Sequence, residues 1–415
     1  MKERLRLRWG IGRALPVILI MIVALTGCAQ EQQEEWFDPD DVPEVEVSGY
    51  TLSLSDGAVV ADVPYVRCVV MEGDEFTILN FADLQIGSSE VSGNAFSYRF
   101  LKTTTSSLVS KVKPDMITLT GDQTYGQRFA LGRVCEHIES FGVPWAPVYG
   151  NHDCDQLSMS LAQQSEMYRS FEHCLYADGP GNLGLVQSRR SPAIGNYVVN
   201  IVKIDGDNFR VVRSLIFLNS GNYQNYDDSE HAGEQRYAGH NYAHLNRNQL
   251  NWYRQMAVSV QNYGGGSPVP STIILHMPIF GYVQAVSAAM NIDADVYDIP
   301  AWLSRTQKIS LEESYDSSYW KAGYEGSFGV MHEDICGPPY DDGVLDFIVE
   351  TGTTDMVYCG HEHNNNFSIT YRGVNLNYTM KTGVGCYCEE DMIGGTVITV
   401  ASDGSATVRH VLDLP

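Results

Sequence analysis

The chain has 415 residues, 44% hydrophobic and 11% aromatic, which is ample for a packed core and excludes wholesale disorder. Its formal charge of −24 opposes binding to nucleic acid or to an anionic lipid face, so no nucleic-acid partner is expected. An anionic substrate would need a local positive site of the kind that bound metal ions supply.

In chain order, residues 1–27 read as a signal peptide. Lys2, Arg4, Arg6, Arg8 and Arg13 are basic, and the apolar run from Leu15 to Leu25 is too short to span a bilayer comfortably. Leu25-Thr26-Gly27-Cys28 follows and resembles a bacterial lipobox, which makes Cys28 the expected lipidation site. Two acyl chains there are enough for stable anchoring, so the expected location is extracytoplasmic, on a bacterial membrane. A chain starting at Cys28 carries 22 basic against 50 acidic residues. Residues 28–48 read as an acidic tether, and 49–415 as one folded domain that opens with a β-rich preamble.

Five strand ends then carry polar residues of one character. The strand Phe76 to Ala82 ends on Asp83-Leu84-Gln85, and a helix follows to about Val112. The strand Met116 to Leu119 ends on Gly121-Asp122. Leu131, Val134, Ile138 and Phe141 then recur at helical spacing. The strand Trp145 to Tyr149 ends on Gly150-Asn151-His152-Asp153. Strands alternating with helices imply βαβ units and parallel pairing, so these ends share one edge. Residues 154–192 are loop-rich with one helix, strands near 196–203 and 212–219 form a hairpin, and a helix covers about 246–260. Thr272 to Leu275 ends on His276. Residues 281–340 are read as an irregular, substrate-facing insertion. A helix near 343–350 precedes the strand Asp355 to Cys359, which ends on Gly360-His361-Glu362-His363, and the tail alternates as antiparallel strands.

Carboxylate, amide oxygen and imidazole together suit hard or borderline metals such as Mn, Fe and Zn. Two such ions about 3.5–4 Å apart can clamp the attacking and leaving oxygens of a phosphoryl displacement. Eight cysteines besides Cys28 permit disulfides without fixing their connectivity, and Cys359 reads as a buried thiol.

The series Asp83-x-Gln85, Gly121-Asp122, Gly150-Asn151-His152-Asp153, His276 and Gly360-His361-x-His363 resembles the five blocks of calcineurin-like metallophosphoesterases. Gly195-Asn196-Tyr197, Phe217-Leu218-Asn219-Ser220-Gly221 and Lys381-Thr382-Gly383 are similar to its purple-acid-phosphatase-like branch. The resemblance implies a four-layer α/β/β/α sandwich and two divalent or mixed-valence metal ions. By position, Asp83, Asp122 and His363 would hold the first ion, and Asp122, Asn151, His276 and His361 the second. A bridging hydroxide would attack phosphorus in line, and His152 would protonate the leaving oxygen of a phosphorylated small molecule.

Gln85 stands where the family usually has His, and its oxygen can still ligate. Purple acid phosphatases lack that His too, and use a Tyr three residues after the bridging Asp, where this chain has Tyr125. Tyr125 is therefore either an iron ligand or a packing residue in a Gly-flanked turn. Two further functions fit the same residues: phosphodiesterase or nucleotide pyrophosphatase chemistry, and a catalytically silent surface-binding lipoprotein.

Overall fold

The computed structural model describes residues 44–413, apart from 88–93, 156–157, 182, 184–193, 225, 227–228, 235, 238–240 and 291–309. The lipobox, most of the tether and the centre of the 281–340 segment therefore lie outside the described residues. Every described element belongs to the unit Trp36–Pro415.

β1 (Leu52–Ser55) and β2 (Ala58–Ala61) form a small hairpin, and β3 (Val66–Val70) leads into the main body. β4 (Glu75–Phe81), the helix Asn94–Val112, β5 (Met116–Thr120), the helix Arg128–Glu139 and β6 (Trp145–Val148) form two successive βαβ units. β4, β5 and β6 pair in parallel, as their alternation with helices requires. The hairpin of β7 (Tyr197–Asp205) and β8 (Asn208–Phe217) turns at Gly206-Asp207. After the helix Arg247–Ser259 come β9 (Ser271–Ile274), the helices Gly281–Ala289 and Val344–Thr351, and β10 (Thr354–Cys359). The chain closes through β11 (Ser368–Tyr371), β12 (Val374–Tyr378), β13 (Gly394–Ala401) and β14 (Ala406–Leu412).

Two main sheets result. The larger has the order β11-β12-β10-β9-β8-β7-β3, and the smaller β14-β13-β4-β5-β6. Alternating side chains of β7 show how they stack. Val198 and Val202 join one core with Trp252, Tyr253 and Met256 of the helix Arg247–Ser259. Tyr197, Val199 and Ile201 join a second core with Phe81, Ile117 and Trp145 of the smaller sheet. The helix Asn94–Val112 packs on β4 and β13, while Arg247–Ser259, Gly281–Ala289 and Val344–Thr351 pack on β8, on β11 and β12, and on β10. This is a mixed α/β fold of two stacked sheets flanked by helices, in the α/β/β/α order that the resemblance implied.

Arg213, fully buried on β8, clamps the two stacked sheets together. It donates to both carboxylate oxygens of Asp355, at 2.7 and 2.8 Å, and to the Gly404 carbonyl beyond β13.

Two sequence expectations change. Residues 281–340 are not uniformly irregular, because Gly281–Ala289 is a helix with Tyr282, Val283, Ala285, Val286 and Ala289 buried. Apolar residues on most of its circumference give it no amphipathic period to read. The tail is not wholly antiparallel: β12 pairs antiparallel with β11 but parallel with β10. Cys359 is buried, as its apolar strand setting implied.

Candidate metal centre

The C-terminal ends of β4, β5, β6, β9 and β10 deliver Asp83, Asp122, Asn151 with His152, His276, and His361 with His363. Three of these strands belong to one sheet and two to the other, so the site lies where both sheets end together. The turns are tight. Asp83, Gln85, Asp122 and His361 all have positive φ, from 45° to 81°, which for non-glycine residues stores strain at each position. Backbone bonds hold them there: Gln85 N–H donates to the Asp122 carbonyl at 2.8 Å. A Cβ at Gly150 would come within 2.2 Å of Asp122 Oδ1, so only glycine lets the Asn151–His152 turn close over that carboxylate.

At the second metal position, donor chemistry fixes the ring of His276. Its Nδ1–H donates to the Thr120 carbonyl at 2.7 Å, which leaves the Nε2 lone pair facing the site. Nε2 then stands 3.0 Å from Asn151 Oδ1, 3.3 Å from His361 Nδ1 and 3.4 Å from Asp122 Oδ1. Four electron-pair donors at contact distance repel one another unless a cation lies among them. A proton on His276 can do part of this work. Burial disfavours a charged His276, but the Asp122 carboxylate outweighs it and pushes the pKa up to about 10. Burial and the His276 charge hold His361 well below the usual imidazole range, in the neutral form a metal requires.

At the first position, His363 Nδ1–H donates to the Tyr387 carbonyl at 2.9 Å and turns Nε2 to within 3.6 Å of Asp83 Oδ1. Burial and the Lys381 charge keep His363 below its usual pKa. Asp83 Oδ1 is fully buried and has no hydrogen-bond partner, while Oδ2 accepts from His361 N–H at 3.1 Å. An orphaned carboxylate oxygen in a closed site is costly unless a cation meets it. Burial would raise the pKa of Asp83 and of Asp122, yet the adjacent histidines lower both, so both stay ionised. Ligand atoms of Asp83, Asp122 and His276 all lie within 4.8 Å of one another. The donor set fits two cations sharing Asp122.

Gln85 is brought to this cluster, but its ends are engaged. Its Nε2 donates to Asp122 Oδ2 at 3.2 Å, and its Oε1 accepts from Lys381 Nζ at 2.7 Å. His152 stands beside the cluster, with its N–H on Asp122 Oδ1 at 2.9 Å and its Nδ1 on Asp155 Oδ2 at 2.8 Å. Burial lowers its pKa, but the Asp155 hydrogen bond and the Asp122 charge outweigh this and hold it above the usual value. The ring of Tyr125 lies 4.6 Å from that of His152. Tyr242 and Tyr387 likewise back His361 and His363 at 4.5 and 4.2 Å.

The secondary motif stretches turn out to be supports. Asn196 Oδ1 accepts from Asn219 N–H at 3.1 Å and from Gln249 Nε2 at 3.0 Å. Gln249 also closes the capping box with Asn246 at the start of its helix. Ser220 Oγ accepts from Met277 N–H at 3.0 Å and so fixes the residue after His276. Asp153 receives Thr124 and Gly150 N–H groups at 3.1 and 3.0 Å, which ties the β5 and β6 turns together. Sequence reasoning missed the roles of Lys381, Asp155, Tyr242 and Tyr387. For Lys381 one signal existed, a lone cation closing a strand-like run.

Several known proteins are similar to this chain. Over 343 residues the chain is 24% identical to a probable inactive purple acid phosphatase 14 of Arabidopsis thaliana, covering 75% of this chain and 71% of that one. It is 29% identical to the phosphatase DCR2 of Saccharomyces cerevisiae over 170 residues, 37% of this chain and 28% of that one. A dimetal phosphatase from Danio rerio superposes with a TM-score of 0.44 at 12% identity, over 80% of this chain and 98% of that one. The calcineurin-like phosphoesterase family matches residues 76–304, more than half of the sequence and four of the five ligand-bearing strand ends, and the chain belongs to that family.

Proposed function

We propose that the chain is a two-metal phosphoester hydrolase acting on phosphorylated small molecules, lipid-anchored through Cys28 on the outer side of a bacterial membrane. One observation carries the activity. Asp83, Asp122, Asn151, His276, His361 and His363 converge with their lone pairs facing one another, and Asp122 is shared between two groups of ligands.

Bound divalent ions, Mn, Fe or Zn, would polarise phosphoryl oxygens and supply a nucleophile at neutral pH. The chain's own residues do the rest. The His152 main chain is locked on Asp122, so its ring keeps a fixed relation to the ligands. Its Nδ1–H is spent on Asp155, which leaves Nε2 to hold a proton for the leaving oxygen.

A catalytically silent binding lipoprotein is the second reading, since the names of the Arabidopsis relatives carry the word inactive. The full set of blocks, with His152 and Asp122 both in place, supports hydrolysis over silence. Phosphodiesterase or nucleotide pyrophosphatase activity would use the same residues, and the substrate loops decide between them.

The test is hydrolysis of a panel of phosphomonoesters, diesters and nucleotide pyrophosphates by metal-supplemented protein, with Asp122→Asn as control. The expected result is turnover of at least one class, abolished in Asp122→Asn together with weakened binding of both ions. A mutant that keeps two ions and full turnover would remove Asp122 from its bridging role.

The anchoring has its own test. Cys28→Ser should move the protein out of the membrane fraction, and lipid-free unmutated protein would refute it. Among the described residues no helix is long and apolar enough to cross a membrane.

A further inference from the structure

The chain carries a cation of its own at the metal centre. Lys381 is 1% exposed, and its Nζ donates to the Asp83 carbonyl at 3.0 Å and to Gln85 Oε1 at 2.7 Å. The loop that bears it is pinned to the first ligand turn: Ala82 bridges to Lys381, and Thr382 N–H donates to the Ala82 carbonyl at 2.9 Å. A Cβ at Gly385 would meet the Gln85 carbonyl at 2.1 Å, so the loop lies directly against that residue. The position is built in.

Both oxygens that receive this ammonium are neutral, and a buried charge needs an opposite charge nearby. Asp83 and Asp122, two buried carboxylates of the same cluster, are what the Lys381 charge offsets. The hydrogen bonds also set the direction of Gln85. With its oxygen on Lys381, its amide N–H groups turn to Asp122 Oδ2, and an N–H cannot ligate a metal.

We infer that Lys381 acts as a resident cation that withholds Gln85 from the first metal position, leaving Asp83, Asp122 and His363 as its ligands among the described residues while the second position keeps Asp122, Asn151, His276 and His361. This rests on the two-metal reading above and predicts unequal sites. One ion is held tightly, and the other exchanges. The lysine lowers the site's negative charge and the glutamine gives no compensating bond, so both effects weaken the same position.

The experiment is metal analysis of the full-length protein after exhaustive dialysis, followed by calorimetric titration with Mn²⁺. Wild type should retain one ion per chain and bind a second at least about tenfold more weakly, the scale of a lost ligand-orienting contact. Lys381→Met should narrow that gap, and Lys381→Met combined with Gln85→His should retain both ions. Should Lys381→Met fold poorly, a crystal structure of Mn²⁺-loaded wild type decides independently. Gln85 Oε1 is expected on Lys381, and its presence in the coordination sphere would overturn the inference. Two ions held equally tightly by wild type would overturn it while leaving the metal centre intact. A protein that binds no ion at all would remove the metal centre and this inference together.

Discussion

His276 donates its Nδ1–H to the carbonyl of Thr120 at 2.7 Å, and this bond joins the end of β9 in one sheet to the end of β5 in the other. One contact therefore serves two purposes. It sets the tautomer that presents Nε2 to the metal position, and it holds the two sheet edges in register. His276→Ala should lose the second ion and also destabilise the metal-free protein, because the Thr120 carbonyl is left buried without its donor. The cost is about 1–3 kcal/mol. Urea unfolding in chelator would measure it, and an unchanged midpoint would show that the bond only orients the ring.

His152 should matter through its proton and not through metal binding. His152→Ala is expected to keep its metal content while turnover falls by about 10²–10⁴. The loss should shrink for esters with good leaving groups such as p-nitrophenyl phosphate, which need no protonation. An equal loss for good and poor leaving groups would refute the general-acid role. Asp155→Asn, which weakens the partner of Nδ1, should show the same pattern in milder form.

Acid sensitivity of folding should come in part from two histidines away from the centre. Burial pushes the pKa values of both His137 and His410 down to about 4. His137 Nε2 is paired with Thr105 Oγ1 at 2.8 Å, and His410 Nε2 donates to the Asn366 carbonyl at 2.6 Å. An unfolded histidine titrates near about 6.5. The unfolded chain thus binds protons first as pH falls, so the stabilisation is full above about 6.5 and lost progressively towards about 4. Metal-free protein should show this slope in denaturant midpoints, and His410→Gln should flatten it. A stability independent of pH across that interval would contradict the assignment.

Tyr125 separates two metal chemistries by colour. With its ring packed on His152, it is expected to act as a support and not as an iron ligand. Metal-loaded wild type should be colourless, and Tyr125→Phe should retain most activity. A visible charge-transfer band in wild type that disappears in Tyr125→Phe would place the phenolate on iron(III).

The convergence of the proposed ligands was legible in the sequence because each follows an apolar strand run and a turn, and parallel strands must end on a common edge. Asp83, Asp122, Asn151, His276, His361 and His363 all arrive there for that reason. Strand pairing was legible for β4 to β6, where helices intervene, and not for β12, whose parallel partner β10 lies across a gap in sequence. The helix Gly281–Ala289 has no amphipathic period and was missed. Gln85 marks the deeper limit. Its residue type permits ligation, but its direction depends on Lys381, almost 300 residues away in sequence, and no local pattern carries that information.

The most direct measurement of the central claim is phosphate release from a phosphoester panel by chelator-treated protein before and after Mn²⁺, Fe or Zn²⁺ is restored. The account predicts no release from the stripped protein, recovery with metal, and no recovery in Asp122→Asn. Metal-loaded wild type that releases no phosphate from any monoester, diester or pyrophosphate would contradict it and leave a binding protein on a hydrolase fold.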